Sequence, residues 1–259
     1  MKGFVKRWLG GEKPAVKVPH VPEGQRIYCI GDIHGRADLL EEIHCLIEAD
    51  AAGHEGDRIL VYLGDYIDRG EQSNEVIEIL RQAPLEGFHH ICLLGNHEQA
   101  MLDFLQHPRA VASWLTFGGR ATLRSYGVSI NLHDPRQDLR DVRDELEEKL
   151  PQHHLDFLQD LYLAYVAGSY CFVHAGIRPG LSLREQRDED LLWIREDFTR
   201  SKASHEYIVV HGHSISLEAE LLPNRIGIDT GAFHTGILTC LVLEGSRQRL
   251  LQTSAGSMS

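Results

Sequence analysis

Arg26-Ile27-Tyr28-Cys29-Ile30-Gly31-Asp32-Ile33-His34-Gly35 is the stretch on which the fold is read. Arg26 to Ile30 is a short, largely apolar run rich in β-branched and aromatic residues. It stops at Gly-Asp, as a buried strand does when it runs into a turn. From Ala37 to Ala52, Leu39, Leu40, Ile43, Leu46 and Ile47 then recur at helical spacing. The unit is strand, polar turn, helix, and it repeats. Arg58 to Leu63 reads as a second strand followed by a helix over Asn74 to Gln82, and Phe88 to Leu94 as a third followed by a helix from Glu98 to Gln106. Such alternation predicts βαβ units and an α/β architecture.

Further along, the character changes. From Ala110 to about Ala164 the chain reads as helical and charged, with Asp141 to Leu150 dense in Asp, Glu, Arg and Lys. This is expected to be a helical insertion over one edge of the sheet, a candidate lid whose charge run forms a solvated helix face. Strand signals return at Tyr170–Val173, Tyr207–Val210 and Ile237–Val242, and Thr253–Ser259 reads as a loose tail. At the other end, Pro14, Pro19 and Pro22 punctuate a polar stretch, so residues 1–24 are expected to be a flexible arm and 25–259 the folded domain.

The 259 residues carry 42% hydrophobic and 25% charged side chains and a formal net charge of −12. That composition excludes wholesale disorder, and the charge argues against nucleic acid as a partner, because an acidic surface repels a polyanion. No segment approaches the length of a membrane span, and Met1 to Leu9 lacks the apolar core of a signal peptide. Cys29, Cys45, Cys92, Cys171 and Cys240 are odd in number with no C-x-x-C pair. They are expected to be buried free thiols in a reducing, cytoplasmic setting.

Five polar clusters fall at or near the ends of the predicted strands: Gly31–Gly35, Gly64-Asp-Tyr-Ile-Asp-Arg-Gly70, Gly95-Asn-His-Glu98, His174-Ala-Gly176 and His211-Gly-His213. Loops at strand ends are where α/β folds hold ligands. Asp32 and His34 stand two apart in a turn, so both can face one cleft. Asp65 can bridge two ions, Asn96 offers a neutral carbonyl, and His174 and His213 offer imidazoles. Mixed nitrogen and oxygen donors without thiolate suit manganese, iron, zinc or cobalt better than calcium. A single Asp-Gly turn means little, but Gly-Asp-x-His-Gly arises by chance in this length only about once in a thousand sequences. His89-His90 and His153-His154 are adjacent pairs whose rings point different ways, and they are expected to be surface polar residues.

Taken in order, the clusters resemble the signature of the PPP-type metallophosphatases, the calcineurin-like superfamily, from about Arg26 to Val242. Gly64 to Ser73 (GDYIDRGEQS) is similar to the protein serine/threonine phosphatases. Trp114–Gly127 (WLTFGGRATLRSYG) and Ile228–Gly236 (IDTGAFHTG) are similar to the bacterial branch. The resemblance implies a four-layer α/β sandwich of two facing mixed sheets. It implies one metal, manganese first, on Asp32, His34 and Asp65, and a second on Asp65, Asn96, His174 and His213. His213 is preferred to His211 because the family's ligand follows Gly directly. A water made acidic between the two ions would attack the phosphate. His97, oriented by Asp68, would protonate the leaving oxygen, and Arg69 and Arg195 would clamp the phosphoryl group.

On the same grounds the substrate is expected to be phosphoserine or phosphothreonine in a protein, with dinucleoside polyphosphate as the alternative. The symmetrical hydrolases of that second class typically carry Ala where this chain has Asp68, and Pro where it has Glu71. Eukaryotic relatives usually carry Arg where Leu94 stands and a long C-terminal regulatory segment, which favours a bacterial type here. A catalytically dead binding module would have lost a ligand or the acid, and none is lost.

Overall fold

The computed structural model describes residues 8–9, 18–83, 85–130 and 138–254. Most of the expected flexible arm, Pro14 included, and the end of the tail lie outside them. One sheet has five strands. Its parallel centre is β2 (Gln25–Ile30), β3 (Asp57–Tyr62) and β4 (Phe88–Cys92), and β10 (Thr239–Glu244) and β11 (Arg247–Gln252) run antiparallel beyond β2, in the order β11-β10-β2-β3-β4. The other has six: β1 (Trp8–Leu9), β5 (Ala164–Ala167), β6 (Tyr170–Val173), β7 (Ile208–His211), β9 (Arg225–Gly227) and β8 (Glu220–Leu221), in that order, with β6, β7 and β9 parallel.

Alternation along each strand builds the layers, because successive side chains face opposite sides of a sheet. In β2, Tyr28 and Ile30 point outward, with Leu60 and Tyr62 of β3, onto the helices α1 (Ala37–Ala51), α2 (Ser73–Arg81) and α3 (Asn96–Gln106). Ile27 and Cys29 point inward, with Ile59, Val61, Leu241 and Leu243, to meet Tyr170, Phe172, Ile208 and Val210 of the second sheet. The far face of that sheet, through Val166, Cys171, Val173 and Val209, packs on Leu191, Ile194 and Phe198. Three apolar interfaces thus separate four layers, the α/β sandwich expected.

Three local expectations are corrected. Residues 18–24 do not belong to a flexible arm: Val21 is buried and its N–H donates to the Gly245 carbonyl, while His20 and Ser169 exchange hydrogen bonds. Trp8–Leu9 pairs with Ala164–Tyr165. The middle segment is not a lid resting on the body. Trp114, Leu123 and Tyr126, with Val142 and Leu146 of α5 (Leu139–Lys149), share the core of α1–α3, and the segment runs directly into the strand β5. A segment that opens and closes carries few buried contacts, and this one carries many. The charge run itself behaves as expected, since α5 buries only Val142 and Leu146. The cysteines are the third correction: all five are free, but only Cys29, Cys171 and Cys240 are buried, Cys92 is half-buried, and Cys45 is exposed on α1. No helix among the described residues is long and apolar enough to cross a membrane.

Candidate metal centre

The parallel strands β2, β3 and β4 deliver Asp32, Asp65 and Asn96 to one edge of the first sheet, and β6 and β7 deliver His174 and His213 to the same edge of the second. Backbone strain is concentrated there. Six described non-glycine residues have positive φ, and five of them are His34, Asp65, Asp68, Arg69 and His213. Left-handed backbone costs energy for a residue with a Cβ, so surrounding contacts must hold it. Glycines make room for this: a Cβ on Gly95 would lie 2.2 Å from the Asp65 nitrogen, and one on Gly212 would lie 2.0 Å from Asp32 Oδ1.

Asp65 is the centre. Its Oδ2 lies 3.6 Å from His34 Nε2 and 3.8 Å from His97 Nε2, and its Oδ1 lies 3.3 Å from His174 Nε2. Two triplets of donor atoms converge within 4.8 Å of one another, one from His34, Asp65 and His97 and one from Asp65, His174 and His213. Asn96 Oδ1 sits 2.8 Å from both His174 Nε2 and His213 Nδ1. Asp32 falls outside both triplets, and its carboxylate accepts the His213 N–H at 3.0 Å.

The chemistry of this donor set fits a pair of divalent cations. His34 Nδ1 is 2.9 Å from the Ile67 carbonyl and His174 Nδ1 is 2.9 Å from the Leu63 carbonyl. A carbonyl only accepts, so Nδ1 carries the proton and each Nε2 turns a lone pair towards Asp65. Burial pushes His34 down to about 3 and His213 to about 2, so both are neutral at physiological pH. His213 Nε2 is buried with no partner. Burial, then Asp229 and Asp65, push Asp32 well above the usual carboxylate range, and burial takes Asp229 up to about 6. Lone pairs and crowded carboxylates facing each other away from water are what bound cations relieve.

Beside this centre, His97 Nδ1 is 2.6 Å from Asp68 Oδ2. Burial lowers the imidazole's pKa, but Asp65 and Asp68 outweigh it and hold His97 at about 9. Asp68 is fully buried and clamped. Trp114 Nε1 donates to its Oδ2 at 2.8 Å, the Thr122 hydroxyl to its Oδ1 at 2.5 Å, and its own N–H donates to Thr122 Oγ1 and Ser73 Oγ. Arg69 reaches to 3.5 Å from His97 Nε2, and its guanidinium lies 4.6 Å from the centroid of the Phe233 ring. Arg195 is exposed at the start of the short helix α8 (Glu196–Thr199), and its charge helps hold His174 and His213 unprotonated.

Sequence reading missed Glu98, Trp114, Thr122, Asp229 and Phe233. Glu98 looked like an ordinary helix-start residue. It is fully buried and accepts the N–H groups of Asp65, Tyr66, Ile67 and Gly95, tying two site loops together. The other four lie inside the segments WLTFGGRATLRSYG and IDTGAFHTG, so the motif was visible and the contacts were not. His211 stays out of the centre: Phe198 packs edge-on to it at 5.1 Å and Nε2 has no partner. His89 is exposed and His90 half-buried, its Nε2 3.2 Å from the Leu85 carbonyl. The surface reading of the second pair is corrected, since His154 is buried between Tyr126 and Glu78. His153 also approaches Glu78, but Arg81 and Gln82 already satisfy that carboxylate.

A two-sheet sandwich with buried carboxylates and imidazoles at its strand ends defines a metal-dependent hydrolase scaffold. The profile of the calcineurin-like phosphoesterases matches residues 25–232, and the chain belongs to that family. It is 25% identical to the asymmetrical bis(5'-nucleosyl)-tetraphosphatase PrpE of Oceanobacillus iheyensis, over 83% of this chain and 87% of that protein. It is 26% identical to serine/threonine-protein phosphatase 2 of Escherichia coli, over 83% and 91%. Its fold superposes on a crystal structure provisionally described as a diadenosine tetraphosphatase with a TM-score of 0.60 and 20% identity, covering 92% of this chain and all of that one.

Proposed function

We propose that this chain is a dinuclear-metal phosphoesterase acting on phosphomonoesters, with phosphoserine and phosphothreonine of proteins as its substrate class. The observation that carries this reading is the Asp68–His97 pair, 2.6 Å apart beside Asp65. A serine alkoxide is a poor leaving group and must gain a proton as its P–O bond breaks. A nucleotide leaves a phosphate anhydride already stable as an anion. A buried imidazole backed by a carboxylate answers the first need and not the second.

Asp32, His34 and Asp65 would hold one ion and Asp65, Asn96, His174 and His213 the other, with manganese first among the metals that suit such donors. When bound, the pair supplies Lewis acidity at the phosphoryl oxygens and lowers the pKa of the attacking water. Arg69, held against Phe233, and Arg195, beside His174 and His213, bind the remaining phosphoryl oxygens and orient the ester. Asp68 keeps the Nδ1 proton of His97 in place, so Nε2 is the atom that passes a proton to the leaving oxygen. Trp114 and Thr122 hold Asp68 in turn.

A second reading, hydrolysis of dinucleoside polyphosphates, is supported by the similarity to PrpE and by two aromatic side chains. Trp193 is partly exposed with its ring 6.3 Å from that of His213, and Phe233 lies 5.5 Å from that of His34. Both are suited to stacking a base. The test is kcat/KM, with Mn²⁺, for a phosphothreonine peptide against diadenosine tetraphosphate. The first reading expects the peptide ahead by about a hundredfold or more, equivalent to about 3 kcal/mol of transition-state binding; the reverse order would establish the second.

A further inference from the structure

Away from the metal centre, residues from the end of α8 to Arg225, with Pro19 and Ser169, line an open cavity of ≈ 700 Å³ that shares no lining residue with it. That volume suits a small organic ligand. Its wall is preformed: Asn224 Nδ2 donates to the carbonyls of Ser201 and Ala203, and Arg225 Nη1 to that of Ser201.

The lining is cationic in a chain whose net charge is −12. Arg225 is more than nine-tenths buried and its Nε has no partner; among the described residues its one carboxylate contact is Glu220, at 3.5 Å. His205 Nε2 is likewise buried without a partner. Burial, then Arg225, push His205 down, so these two groups stand close enough to feel each other. Lys202 makes no ion pair among the described residues. Glu206 is the one carboxylate among the described lining residues. A buried guanidinium with an unused donor beside an imidazole and a free ammonium is the arrangement an oxyanion satisfies. Tyr207, Leu222 and Pro223 supply an apolar wall.

We propose that this cavity binds a small organic monophosphate, its phosphate on Arg225, His205 and Lys202 and its apolar body against Tyr207, Leu222 and Pro223. The site is independent of the chemistry proposed for the metal centre. The path from it to that centre is short: Phe198 packs between His205, at 5.9 Å, and His211, at 5.1 Å, and His211 ends the strand that delivers His213.

The test is NMR of the histidine rings in the intact protein, titrated with AMP and separately with inorganic phosphate. The expected result is a saturable shift of the His205 signals, with AMP bound about tenfold or more tighter than inorganic phosphate. Lys202→Ala should weaken AMP by about tenfold while leaving turnover of an aryl phosphate, and its competitive inhibition by AMP, unchanged. No saturation of His205 by about 10 mM AMP would overturn the proposal. So would an unchanged Kd in both Lys202→Ala and Arg225→Gln, each checked for native unfolding behaviour. Equal affinity for phosphate and AMP would overturn the assignment of the apolar wall.

Discussion

The metal centre and the cavity beside β9 are electrostatic opposites. At the centre, carboxylates outnumber fixed positive charges: Asp32, Asp65, Asp229 and Glu98 are buried beside the neutral imidazoles of His34 and His213, with His97 and Arg69 as the cations. In the cavity, Arg225, Lys202 and Arg200 share the wall with His205, and Glu206 is the one carboxylate among the described lining residues; Glu220 and Glu196 reach Arg225 and Arg200 from outside that lining. The first region is short of cations and the second of anions. Burial makes each shortage costly, because charge removed from water needs a partner close by. The comparison teaches that net charge says little about where a chain binds phosphate. With −12 overall, the two proposals have this chain meet phosphate through metal at one place and through arginine at another.

The comparison can be broken hardest at Asp65. Asp65→Asn removes the charge shared by both donor triplets, and turnover is expected to fall by about 10³-fold or more. Near-normal kcat would end the shared-site account, and a changed His205 titration would show that the two regions are not separate. Next comes His97→Ala, which should slow a phosphothreonine peptide by about 10²-fold or more and p-nitrophenyl phosphate far less; equal losses would remove His97 as the acid. Trp114→Phe keeps the packing and deletes the N–H bond to Asp68. Here kcat on the peptide should fall by about tenfold with metal content unchanged. A smaller effect lies outside both regions. His44, buried against Tyr62 at 2.9 Å, is pushed down by burial to about 4. Its depressed pKa means that the unfolded chain binds the proton more tightly. Stability should therefore be complete above about pH 6.5 and be lost as pH falls towards 4, by up to ~3 kcal/mol. His44→Gln should flatten that slope in a urea titration repeated across the range, and an unchanged slope would assign the acid sensitivity elsewhere.

Much of this was legible before any coordinates, and particular residues show why. Ile27 to Ile30 and Leu60 to Tyr62 are apolar on both faces because the sheet is covered on both sides, so strand and class could be read directly. That Asp32, His34, Asp65, Asn96, His174 and His213 gather at one edge of the two sheets was legible because each follows a strand in a Gly-flanked turn. β11 was not, since Arg247–Gln252 is an exposed edge strand with three of its six residues Arg or Gln before the first Leu. The middle segment was misjudged because local charge masks burial: α5 hides two residues in a stretch that is otherwise Asp, Glu, Arg and Lys. Trp114 and Glu98 escaped for another reason. Their roles are long-range hydrogen bonds, 46 residues apart for Trp114 and Asp68 and 33 for Glu98 and Asp65, which no local pattern encodes.

The most direct test of the central claim is metal content set against activity: the ions bound per chain after exhaustive chelation and stepwise return of Mn²⁺, with turnover followed at each step. The account predicts no turnover without metal, recovery as a second ion binds, and His205 unaffected throughout. Full turnover in metal-free protein, or full recovery at one ion per chain, would contradict it.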